Sequence, residues 1–229
     1  WPPAEAREGG PWTIRDGRGG GKRVSAATAT GPVAEDDIVQ AEDAMRSLDQ
    51  PALFMIREGD AALDGLLSAA GYAVIDPVNM YASPLSALTG DPVPRATAYC
   101  IWEPLAIQLD IWSRGGIGPD RIAVMHRAAE PKTTILGRNG QSPAATAFVA
   151  IHGRVAMIHA LEVLQQHRRT GMGRLVTRQA AHWAAANGAT HAAVLCTRAN
   201  RAANALYTSL GMAHVGQYHY RIKQKALHL

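Results

Sequence analysis

Cysteine is nearly absent from this 229-residue chain: it has only Cys100 and Cys196, each inside an apolar run. That excludes a disulfide-stapled scaffold and a cysteine-ligated zinc site, and predicts two buried free thiols, as suits a reducing cytoplasm. Long hydrophobic runs are also missing, since no stretch of about 18 apolar residues could span a bilayer, and no membrane partner is expected. Charge of one sign is weak, with 23 basic against 19 acidic residues and a net charge of +4. No basic-aromatic stripe accompanies it, so no nucleic-acid partner is expected. His126, His152, His182 and His191 show no ligand spacing, and no metal is expected. The first residues lack the basic and apolar regions of a secretory leader, so no signal peptide is expected, and Trp1 at position one suggests processing or trimming. The hydrophobic content of 47% supports one large or two small domains.

Glycine is plentiful where it matters. Arg168-Arg-Thr-Gly-Met-Gly173 lies between an apolar strand pattern, Val155 to Val163, and an amphipathic helix pattern, Arg174 to Asn187. A glycine turn that feeds a helix aims free N–H groups and the positive helix end at one point, which makes an anion site. The flanking arginines suit phosphate oxygens. Arg174-Leu175 replaces the Lys-Ser/Thr of a Walker A loop, and Val176 stands where the dinucleotide fingerprint needs its third glycine. A different pyrophosphate ligand is implied. A second glycine run, Arg18 to Lys22, lies between short strand candidates, Trp12 to Arg15 and Arg23 to Ala27, and predicts a hairpin turn.

Around the loop stand Leu161 and Val163 upstream, then Asn200, Tyr207 and Ala205-Leu-Tyr-Thr-Ser-Leu-Gly-Met212 downstream. Together these residues resemble the GNAT superfamily of acetyl-CoA-dependent N-acetyltransferases over Ala98 to Lys223, with Met212 in place of the usual Phe. The strand and helix order from Thr97 onward, β-α-α-β-β-β-α-β-α-β, is also that family's order. The fold class implied is α/β with a mixed sheet. Within it, residues 91–229 form the catalytic domain and 1–90 a degenerate GNAT-like N-terminal domain, a partial tandem repeat. The latter rests on an internal echo: Phe54-Met-Ile-Arg, a helix, Gly71-Tyr and a strand parallel Val194-Leu-Cys-Thr, a helix, Gly211-Met and a strand. The N-terminal copy lacks the glycine loop and has Leu67 where Tyr207 stands.

The resemblance implies acetyl-CoA as cosubstrate and a small-molecule or peptide amine as acceptor, with direct transfer in a ternary complex. The alternative is a CoA-binding regulatory protein without turnover. It also implies roles. Arg168, Arg169, Thr170, Gly171, Met172, Gly173 and Arg174 hold the pyrophosphate. Leu161, Glu162 and Val163 pair with the pantetheine and polarise the thioester, and Asn200 contacts the cofactor. Tyr207 is the general acid at the sulfur, although by spacing alone it would be a core filler. An alkylamine with a pKa near 10 is neutral in only about one molecule per thousand at pH 7, so a base helps. His159 is the first candidate, on the same strand face as Leu161, with a buried structural role as its alternative. Glu162 qualifies only if a bulge turns it inward. Leu195 stands where ribosomal-protein N-terminal acetyltransferases carry a catalytic glutamate, which argues against that substrate. The Ser113 to Gly118 loop and the strands around Tyr218 and Tyr220 are expected to line the acceptor pocket. Neither the acceptor's identity nor the oligomeric state is legible in the sequence.

Overall fold

The computed structural model describes residues 1–223. A small antiparallel sheet comes first, from β1 (Glu5–Gly9), β2 (Trp12–Asp16) and β3 (Thr28–Ala29). Between β2 and β3 the expected strand at residues 23–27 is instead a one-turn helix, α1 (Lys22–Ser25), which drives Val24 into the core. The glycines before it form a tight turn pressed on a later helix: a Cβ on Gly20 would come within 2.4 Å of Val124 Cγ2. That close approach accounts for the glycine at position 20.

Next come α2 (Glu35–Arg46), β4 (Leu53–Arg57), α3 (Ala61–Ala69), β5 (Tyr72–Pro84) and the short α4 (Leu85–Leu88). After the proline-rich linker the chain continues through β6 (Ala98–Ile101), α5 (Ala106–Arg114), α6 (Pro119–Arg127), β7 (Lys132–Asn139), β8 (Ser142–His152) and β9 (Val155–Val163). It ends with α7 (Met172–Ala186), β10 (His191–Thr197), α8 (Arg201–Ser209) and β11 (Ala213–Lys223). Periodicity carried most of these elements. Pro119 opens α6 as expected of a residue whose missing N–H costs nothing there. Cys100 departs from expectation: it is exposed on edge strand β6, whereas Cys196 is buried.

Eight strands form one mixed sheet in the order β4-β11-β5-β10-β9-β8-β7-β6, in which only the β9–β10 pair is parallel. The linker at residues 89–95 therefore separates two segments in sequence that share a sheet in space. At its centre the two repeats exchange their last strands. β5 of the first repeat pairs with β10, and β11 of the second pairs with β4. An offset of 140 residues maps one contact set on the other: Leu53↔Ile222 becomes Ala193↔Ala82, and Arg57↔Tyr218 becomes Thr197↔Val78. The echo read in the sequence is thus a pseudo-twofold in the sheet.

Helix α7 packs its apolar stripe (Val176, Ala180, Ala184) on one face of the sheet, with Ala145, Ala147, Ile158 and Val194 beneath it. On the other face α5 and α6 bury Trp112 and Met125 against Phe148. Beside them, Tyr218, Tyr220 and Val78 form a separate cluster.

Candidate functional site

β9 and β10 run paired from Val155↔His191 to Ile158↔Val194 and then part. Beyond that point residues 160–163 and 195–197 have no pairing with each other, which opens a cleft through the sheet. The divergence begins at a bulge. Phe148 faces His159 and Thr146 faces Glu162, so β9 spends three steps where β8 spends two. Ala160 takes up the extra residue at φ 51°, and Trp112 Nε1 donates to its carbonyl at 2.7 Å.

The bulge resets the strand's faces and corrects the simple alternation. Leu161 and Val163 pack with the α7 core, whereas Ala160 packs with the cluster of Trp112 and Phe148. His159 stacks on the Trp1 ring at 4.3 Å, on the α5 side. Glu162 also faces α5, since a Cβ on Gly115 would come within 2.6 Å of its Cδ. His159 and Glu162 therefore share one face and Leu161 the other. Glu162 remains partly open to solvent, with 20% of its side chain exposed, and Arg168 Nη2 donates to its Oε1 at 3.1 Å. His159 is 7% exposed, and Arg23 Nη1 lies 3.3 Å from its Nδ1. Burial, then the charge of Arg23, holds its imidazole well below the ordinary histidine range.

At the outer end of the cleft, the turn after β9 enters α7 through Arg169 at φ 66° and Gly171 at φ 87°, both left-handed. The first backbone bond of α7 runs from Leu175 N to Gly171 O. The amides of residues 169–174 make no backbone hydrogen bond among the described residues, so they form a nest of free donors at a helix N-terminus. Gly173 packs closely on a neighbour: a Cβ there would lie 3.0 Å from Leu206 Cδ2 of α8. A cleft of about 240 Å³ opens beside the loop, lined by Arg174, Arg178 and the linker prolines Pro92 and Pro94. Arg174 donates to Ser209 Oγ at 2.9 Å, and Thr170 Oγ1 donates to His167 O at 2.7 Å. Arg168 lies away from the loop, its Nε donating to Val163 O at 3.1 Å.

Tyr207 projects from α8 into the same core, 6% exposed. Burial, with Cys196 nearby, raises its phenol above the ordinary tyrosine value, so it stays protonated at neutral pH. Asn200 stands seven residues before Tyr207, just outside the helix proper. It is the N-cap of α8, its Oδ1 accepting from Ala203 N at 3.0 Å. Sequence reasoning missed Asn204. Its Oδ1 accepts from Asn79 Nδ2 at 2.7 Å and from Tyr81 Oη at 2.9 Å, tying α8 to β5 of the first repeat. The offset between the repeats also shows how their helix starts differ. Thr30-Gly31 corresponds to Thr170-Gly171, but α2 then opens with Glu35, Asp36 and Asp37, and Asp37 Oδ2 already accepts from Ala34 N. Three carboxylates at a helix start repel phosphate. Among the described residues no group of three or more His, Cys, Asp or Glu is placed to hold a metal ion.

Comparison with known proteins bears on this arrangement. The profile of the Acetyltransferase (GNAT) family matches residues 100–212. The chain is 26% identical, over 98% of its length and 94% of the relative's, to the uncharacterized N-acetyltransferase YobR of Bacillus subtilis (strain 168). Among solved structures, a GCN5-related N-acetyltransferase from Kribbella flavida superposes with a TM-score of 0.71 at 20% identity, covering 98% of this chain and 91% of that one. A tandem GNAT protein from the clavulanic acid biosynthesis pathway superposes with a TM-score of 0.61 at 12% identity, covering 92% and 76%.

Proposed function

Because the chain belongs to the GNAT superfamily of N-acetyltransferases, we propose that it moves an acetyl group from acetyl-CoA to a primary amine by direct transfer in a ternary complex. The observation that carries this reading is the nest of free amides at residues 169–174, set at the mouth of the cleft where β9 and β10 part. The donors fit a pyrophosphate, and Arg174 and Arg178 border the adjoining cleft where further phosphate charge would lie. Leu161 to Val163 offer the strand edge that β10 leaves unpaired, suited to the amides of a pantetheine arm. Asn200 serves the site by capping the helix that carries Tyr207.

Acetyl-CoA supplies the activated acetyl group, and the chain's own residues move the protons. Glu162, turned to the acceptor side by the bulge and within reach of solvent, takes the proton of the attacking amine, directly or through water. His159 is sealed and poorly basic, so its role is to fill the floor of the acceptor face and accept from Arg23. Backbone N–H groups at the bulge meet the developing oxyanion, worth about 3–4 kcal/mol per donor. Tyr207 keeps its proton until the departing sulfur needs one. Two free thiols suit a reducing compartment such as the cytoplasm.

Calorimetric titration with acetyl-CoA, paired with thiol release over an amine panel, tests the proposal. Gly171→Asp puts a carboxylate and a strained left-handed residue in the nest, and is expected to weaken binding by at least about ten-fold. Tyr207→Phe is expected to bind normally and to lower kcat by about 100-fold. Binding without thiol release from any amine would favour a regulatory CoA-binding protein.

A further inference from the structure

Positive charge on the acceptor face is not used by the proton transfers above. Arg23, on α1 of the first repeat, donates through Nε to Tyr218 Oη and through Nη1 to His159 Nδ1, both at 3.3 Å. Arg121, on α6, lays its side chain over Gly21, where a Cβ would meet its Cδ at 3.5 Å. Its Nε is buried and has no hydrogen-bond partner among the described residues. Neither guanidinium forms an ion pair with a carboxylate among the described residues. Of the acids in this region, Asp76 pairs with Lys22 at 2.9 Å and Glu162 with Arg168, while Asp120, beside Arg121 in the chain, lays its carboxylate over Gly19. Burial, then the charge of Arg23, works against the charged form of Arg121.

Arg121, with its Nε buried and unpartnered among the described residues and the charge of Arg23 acting on it, carries a free-energy cost that no contact at that atom returns. An anion placed between them would return it, because guanidinium groups bind carboxylate and phosphate oxygens through paired N–H donors. Their position fixes which ligand that anion belongs to. Arg23 touches His159, whose neighbour Ala160 is the bulge residue at the head of the cleft. Tyr218 and Tyr220 form an apolar floor beside it, with Met80 and Leu195.

We propose that the acceptor is a small amine that also bears an anionic group, which Arg23 and Arg121 hold while the amine faces the β9 bulge. This rests on the transferase reading and gives the first repeat a part in the site, since Arg23 is its residue. A polyamine is disfavoured, because the same two charges repel it.

Two readouts on the full chain decide the matter. With coenzyme A present, tryptophan fluorescence follows binding of amino acids, their amides, phosphoethanolamine and putrescine, since Trp1 and Trp112 border the site. Thiol release from acetyl-CoA follows turnover of the same amines. An acceptor in the anionic set is expected to exceed its uncharged amide in affinity and kcat/KM by about ten-fold. Response to an amino acid but not to phosphoethanolamine identifies a carboxylate, and the reverse a phosphate ester. Arg121→Gln and Arg23→Gln should each lower the anion-to-amide ratio by about ten-fold, with coenzyme A affinity reporting an intact fold. Preference for amides or putrescine, no binding of any anionic amine, or equal loss for all amines in the variants would overturn the proposal. Failure to bind acetyl-CoA would instead remove the transferase reading, and the fluorescence arm would still decide the anion site.

Discussion

At position 159 the one side-chain type that titrates near neutrality is sealed between Phe148 and the Trp1 ring, with an arginine on its free nitrogen. The sign of the pH effect follows. The folded pKa lies below the unfolded value near 6.5, so the unfolded chain takes up this proton first. Stability from this group is complete above about pH 6.5 and falls at lower pH, by at most about 1.4 kcal/mol per pH unit. Urea unfolding between pH 8 and pH 5 should show that decline, and His159→Gln should flatten it. An unchanged slope would mean that His159 titrates freely. The residue type at 159 is plain in the sequence, but its burial is not. Val155 to Val163 read as one apolar strand, and nothing in that string marks Ala160 as the residue where the two faces are reset.

Among the elements, β9 and α5 depend on each other. The bulge turns Glu162 toward the C-terminal end of α5, and only Gly115 leaves room for it. Gly115 sits at φ −86°, a conformation that any residue adopts, so the glycine serves space rather than backbone freedom. Gly115→Ala is therefore expected to leave thermal stability nearly unchanged while displacing the carboxylate. If Glu162 is the base, kcat falls by about ten-fold or more with acetyl-CoA affinity intact, and Glu162→Gln falls at least as far. Full activity in both variants would exclude Glu162 from the proton transfer. Gly115 and Gly116 close α5, as glycines commonly do at a helix end. That the first of them makes way for a side chain 47 positions later emerged only once β9 and α5 were packed.

For the whole molecule, the strand exchange makes the two repeats inseparable. Removing residues 1–90 strips β10 of all seven of its pairings with β5 and leaves β11 without either neighbour. It also uncovers Tyr218 and Tyr220 and unties Asn204 from Asn79 and Tyr81. Residues 91–229 expressed alone are expected to unfold without a cooperative transition and to bind a hydrophobic dye. A monomeric, cooperatively folded fragment would show instead that β11 can return to β10 and close the sheet unaided.

Local order determined what the sequence could announce by itself. Periodicity placed the helices and strands of the second repeat, the glycine loop announced a turn with free amides at a helix start, and the spacing of Asn200 and Tyr207 pointed to the family. These signals are short-range, carried by residues within one or two elements. The tertiary structure alone decided which strand lies beside which: β11 pairs with β4 and β5 rather than with β10, and nothing in its own string says so. It also decided where the bulge falls and that Arg23 reaches His159, 136 positions along the chain. Contacts between residues a hundred positions apart leave no pattern in one sequence, since each partner is shaped by its own neighbours and the pair exists only when the sheet closes.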